Sequence, residues 1–110
     1  MTIVNLTPHA LSLIVGPETV TVPPSGTVAR VTVTREPAGA VTVDGVQVPL
    51  YRTTYGAVEG LPDPQPDTLY VVSALVASAA RGRDDLVVPD DLVRDEQGRV
   101  IGARGLAFPA

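Results

Sequence analysis

Six residues in the middle of the chain, Tyr51-Arg52-Thr53-Thr54-Tyr55-Gly56, carry its densest set of groups able to hold a ligand. A guanidinium offers a planar fork of donors that matches phosphate or carboxylate, and tyrosine rings stack on a base. The same residues also fit a strand with a cross-strand tyrosine pair. In a flat strand, positions 50, 52 and 54 share one face and 51, 53 and 55 the other. A pocket joining Arg52 to Tyr51 and Tyr55 therefore requires a bulge or bend, which Gly56 could provide, or a second protomer. Arg94 is a second candidate for holding an anion, and His9, the sole histidine, is a candidate rim contact.

Other chemistry is less complete. A histidine can serve as general base or ligand, but His9 follows Thr7-Pro8 with no evident orienting partner, as a turn histidine would. Asp84, Asp85, Asp90, Asp91, Asp95 and Glu96 supply hard oxygen ligands. They lack the alternate acids and central glycine of a calcium loop, and they sit before apolar runs or in turns, so no metal is expected. Asp91 is placed to answer Arg94. Arg81 and Arg83 follow a helical segment, where cations oppose the negative end of the dipole. Ser12, Ser25, Ser73 and Ser78 lack a nucleophile elbow, and the glycine patterns of phosphate loops and dinucleotide sites are missing. The expectation is a protein that is not an enzyme and needs no cofactor. A hydrolase built on His9 and an aspartate is the least supported alternative.

The elements that must position these groups are mostly strands. Period-two alternation or apolar runs mark residues 2–6, 10–15, 19–22, 27–35, 40–43, 46–48 and 50–60. Glu36-Pro37-Ala38-Gly39 predicts a turn, and Asp44-Gly45 predicts a two-residue hairpin. Pro49 suggests an edge or a strand end. Residues 61–67 hold three prolines at alternate positions and read as an extended loop crossing one domain. Leu69-Tyr70-Val71-Val72 is an apolar strand. Ser73 caps a helix over 74–81, with Leu75, Val76 and Ala79 as its apolar stripe and Gly82 as its stop. A further run, 86–88, ends at Pro89, and a last hairpin turns through Asp95-Glu96-Gln97-Gly98. The fold class expected is α+β and β-rich: a single domain over 1–110, built as an antiparallel sheet or a half-open small barrel with one short helix.

Composition narrows the partners. The chain has 110 residues, no cysteine and a net charge of −4, which excludes disulfides and argues against nucleic acid. The start lacks the basic region of a signal peptide, and no apolar run suits a membrane span. All eight basic residues are arginine. Either the bidentate fork is used or codon bias has selected it, as the abundance of Ala, Gly, Pro, Val and Asp would suggest.

Asn5-Leu6-Thr7-Pro8-His9, Pro24-Ser25-Gly26, Tyr70-Val71-Val72-Ser73 and the run from Val93 to Gly102 resemble a family of small phage- and prophage-associated proteins. That resemblance implies a setting, the cytoplasm of a bacterial host, rather than a mechanism. By analogy with phage accessory proteins that counter host defence, the expected function is sequestration of a small anionic, nucleotide-derived ligand such as an immune signal. Arg52 and Arg94 would hold phosphate, Tyr51 and Tyr55 base or ribose, and His9 the rim, with a homo-oligomer supplying the concavity. The alternative is a protein–protein interaction module, an inhibitor or virion accessory protein that engages a host protein through its β edges and proline-rich loop.

Overall fold

A computed structural model describes residues 1–109. In chain order the elements are β1 (Thr2–Asn5), β2 (Leu11–Val15), β3 (Glu18–Val22), β4 (Arg30–Val43), β5 (Val46–Glu59), β6 (Thr68–Val71), α1 (Ala74–Ala79), β7 (Leu86–Arg94) and β8 (Val100–Ala107). The β-rich α+β class with one short helix is what the chain adopts. Six strands form one sheet in the order β1-β6-β7-β8-β2-β3, while β4 and β5 pair only with each other.

Strand direction is mixed. The β7–β8 and β2–β3 pairs are antiparallel, whereas β1–β6, β6–β7 and the single-pair β2–β8 contact are parallel. Alternation in a sequence reports a strand's faces and not its direction. The direction of β7 follows from α1, which serves as the crossover that two parallel neighbours require.

Ser73 caps α1 as its sequence predicts, its side chain accepting from the Val76 amide at 3.2 Å. The helix stops at Ala79, two residues short of the expected end. It buries Val76 and Ala77 and leaves Leu75 42 % exposed. The core stripe is therefore rotated from the one expected, because the small Ala77 lets the helix lie close to the sheet. Val76 and Ala77 pack with Leu6, Ala29, Tyr70, Val72 and Leu86.

The sheet curls until its two edge strands meet. Asn5, at the end of β1 and 1 % exposed, donates from Nδ2 to the Val22 carbonyl at the end of β3 (3.1 Å). The Ser25 amide donates back to the Asn5 carbonyl at 2.9 Å. The half-open barrel is thus joined at its seam by one asparagine.

The largest departure from expectation is the β4–β5 ribbon. Asp44 (φ 48°) and Gly45 (φ 80°) form the primed turn that the sequence predicts. The expected turn at 36–39 is instead strand. Ala38 and Gly39 sit opposite Leu50 as an extra residue in the ladder, between the Pro37–Tyr51 and Ala40–Pro49 pairs. Gly39, at φ 104°, absorbs that bulge without a steric penalty. Four short strands thereby merge into two of 14 residues, each about 46 Å long at ~3.3 Å per residue. The radius of gyration is 17.4 Å, against about 13 Å for a compact chain of this size. Pro49 is tolerated in mid-strand because a two-stranded ribbon has only edges. Pro89 likewise fails to end β7, which runs on to Arg94 beside β8.

Replacing Asn5 with alanine strands the Thr7 amide and the Val22 carbonyl and leaves the His9 carbonyl only the Thr7 hydroxyl. The expected loss is roughly 2–4 kcal/mol in urea unfolding. A loss below about 0.5 kcal/mol would show that the seam holds without this side chain.

Candidate functional site

The ribbon decides where the Tyr-Arg cluster points. Tyr51 lies opposite Pro37, Thr53 opposite Arg35 and Tyr55 opposite Val33, while Arg52 lies opposite Glu36 and Thr54 opposite Thr34. The register is unbroken from 51 to 55. Gly56 does belong to a bulge, with Gly56 and Ala57 facing Thr32, but the bulge comes after Tyr55. Arg52 therefore projects from the face opposite the two tyrosines, and no single-chain pocket joins them.

A different arginine joins the tyrosines. The Arg35 guanidinium sits 4.3 Å from the centre of the Tyr51 ring, a cation–π contact. Val31, Val33 and Arg35 alternate onto one face of β4, and at the ribbon root Val31 and Val58 pack against the core. The tyrosine face is thus the core-facing side of the ribbon, continued beyond the body. The alternation of 27–35 already held this placement. Taking 36–39 for a turn hid the pairing that sets Arg35 beside Tyr51.

The other candidates lie elsewhere. Arg94 donates to the Gly98 carbonyl at 2.9 Å and holds the β7–β8 turn. Asp95 completes that turn, accepting from the Gln97 and Arg99 amides and from the Arg99 side chain. Asp91 answers Arg104 at 3.4 Å rather than Arg94. His9 lines a mainly apolar cleft of about 340 Å³ with Pro89, Leu92, Val100 and Ile101. Its carbonyl, not its ring, does structural work, accepting from Asn5 Nδ2 and Thr7 Oγ1. The described residues contain no group of three or more His, Asp or Glu placed to hold a metal. They also contain no helix long and apolar enough to cross a membrane.

A larger cleft of about 440 Å³ opens at the ribbon root, between the Leu6–Pro8 segment and the start of α1. Arg30 and Glu59 line it and are partners in the ladder. It therefore offers an anion no net positive charge.

The ion pair whose two partners shift each other is structural. Arg83 meets both carboxylate oxygens of Asp85, at 2.8 and 2.7 Å, and its Nη2 also donates to the Pro62 carbonyl at 2.9 Å. Tyr70 Oη reaches the Asp63 carbonyl at 3.3 Å. Together they fasten the proline-rich loop to the body, a role that the helix-dipole reading of Arg83 missed. The hydrogen bonds from Arg83 hold the Asp85 carboxyl below its ordinary value, outweighing the effect of burial, and the same bonds raise Arg83.

Comparison with known protein families, with curated proteins and with solved structures finds no match.

What remains in the open is the ribbon itself. Val33, Val41, Val43, Val46, Val48, Leu50, Tyr51 and Tyr55 are between 39 and 62 % exposed.

Because the folded pKa of Asp85 is depressed, its contribution to stability is present above the ordinary carboxylate range and is lost as pH falls through the folded value. Asp85→Asn should lower stability at pH 7 and flatten the acid limb of the stability curve below about pH 4. A parallel downward shift at every pH would show that the pairing charge is not responsible.

Proposed function

We propose that this chain is a non-enzymatic accessory protein that acts by contact, with the body as a mount and the β4–β5 ribbon as a docking arm. One observation carries the reading: a two-stranded ribbon that exposes eight large apolar side chains. Isolated two-stranded hairpins are marginal in water, and a strand pair gains independent stability only against a further apolar surface. Exposed apolar surface of this extent marks an interaction site. The motifs that resemble small phage-associated proteins suggest a bacterial host as the setting.

A second reading rests on the Arg35–Tyr51 contact. A small anionic, nucleotide-derived ligand would bind the tyrosine face, with Arg35 taking the phosphate role first assigned to Arg52, and Tyr51 and Tyr55 offering rings. A pocket of useful depth would require a second protomer over that face. In thermal-shift titrations with mono-, di- and cyclic nucleotides, Arg35→Ala should then abolish a shift that Arg52→Lys retains. No shift from the wild-type protein would sink this reading.

The docking arm is tested by a photoreactive residue placed at Val46 on the ribbon or at Val20 on β3, each about half exposed. Irradiation in bacterial cells should give adducts from position 46 and not from position 20. Equal yields, or none from the ribbon, would overturn the docking role.

A further inference from the structure

We propose that the ribbon docks on a second copy of this chain, face to face, through Val41, Val43, Val46, Val48 and Leu50. The inference rests on the docking-arm reading and specifies its partner.

The register places these five side chains together. Val43 opposes Val46 and Val41 opposes Val48, so both pairs share a face, and Leu50 follows at the next even position of β5. The opposite face at the same level carries Thr42, Gln47, Ala40 and Pro49. The outer half of the arm is therefore amphipathic, and its apolar side is the one opposite Tyr51 and Tyr55. Nothing in the described chain covers it.

Charge favours a like partner. The ribbon holds three of the arginines (Arg30, Arg35, Arg52) and three acids (Glu36, Asp44, Glu59), so it is neutral. The whole net charge of −4 lies in the rest of the chain. Two copies repel through their bodies and meet without repulsion only at the arm.

The order of residues also suits a two-fold axis. Asp44 and Arg52 lie four positions on either side of Val48. A self-complementary contact centred on Val48, with the arms antiparallel, brings Asp44 of each copy toward Arg52 of the other. Edge-to-edge pairing is less suited. Counting out from the Val43–Val46 pair that flanks the turn, Ala40–Pro49 is a pair whose backbone groups point away from the ladder. Pro49 therefore leaves the outer edge of β5 without a donor at that point. Face-to-face stacking at about 10 Å needs no such donor.

Sedimentation velocity on the purified protein should give a dimer, twice the 11.4 kDa chain mass. Val48→Arg places like charges on the axis and should yield a monomer with an unchanged circular dichroism spectrum, since the side chain is exposed in the single chain. Arg52→Glu should weaken the dimer roughly tenfold, and adding Asp44→Asn to it should restore part of the loss. A wild-type protein that stays monomeric into the millimolar range, or a Val48→Arg dimer, would overturn the proposal. Adducts from position 46 to a different protein would also overturn it while leaving the docking arm standing. No adducts from that position would remove both.

Discussion

Asn5 is the constraint on which the rest of this structure depends. A buried primary amide is costly unless its polar atoms are all engaged, and here they are. Nδ2 donates to the carbonyls of His9 and Val22, and Oδ1 accepts from the amide and hydroxyl of Thr7. These four bonds fix the turn after β1 and draw the β3 edge to the β1 edge. The next residue extends the junction. The Leu6 amide donates to the Val71 carbonyl, and the Leu6 carbonyl accepts from the Ala29 amide. Within two residues the chain joins both edges of the sheet, the end of β6 and the root of the ribbon.

The body and the arm answer to different energetics. In the body, Leu6, Tyr70, Val72, Val76 and Leu86 are nearly removed from water, and burying such side chains contributes about 1.5–3 kcal/mol each. The outer ribbon has no comparable gain. Ordering its backbone costs about 1–2 kcal/mol per residue, against apolar side chains that stay roughly half exposed. Its ladder bonds, the Asp44-Gly45 turn and the Arg35–Tyr51 contact preserve its shape without supplying a core. The docking reading follows from that imbalance.

Much of the fold was legible because it is written locally. Asp44-Gly45 specifies its turn through two residues that tolerate positive φ, and Ser73 specifies a helix start through one hydroxyl. Leu69-Tyr70-Val71-Val72 is apolar throughout because β6 lies between two strands, with Tyr70 and Val72 in the same core as Val76 and Ala77 of the helix. The failures came where a local signal met a long-range one. Pro37 and Gly39 signal a turn, yet the pairing of Tyr51 with Pro37 and of Pro49 with Ala40 holds the chain extended and reduces the signal to a bulge. Pro89 signals a stop, yet β8 holds β7 extended beyond it. The candidate site suffered the same way. Tyr51, Arg52 and Tyr55 were correctly placed on a strand with Arg52 on the other face. The partner that the tyrosines find, Arg35, is set by a register that only the full hairpin defines.

The exclusive use of arginine can also be weighed residue by residue. At Arg83 the planar fork meets both oxygens of Asp85 while Nη2 reaches the Pro62 carbonyl, an arrangement that a lysine point charge cannot reproduce. At Arg35 the guanidinium lies over the Tyr51 ring, where a flat, weakly hydrated cation is again the better fit. Arg94 makes one bond to a carbonyl and Arg104 one long contact to a carboxylate, and a lysine would serve at either. The fork therefore matters at the loop clamp and on the tyrosine face. At Arg99 it spreads Nε to Asp95 and Nη2 to Gln97, whereas codon usage is sufficient for Arg94 and Arg104. Arg83 and Arg35 fasten the proline-rich loop in one case and the exposed ribbon in the other. At both, the planar fork holds a segment that lies outside the six-stranded sheet.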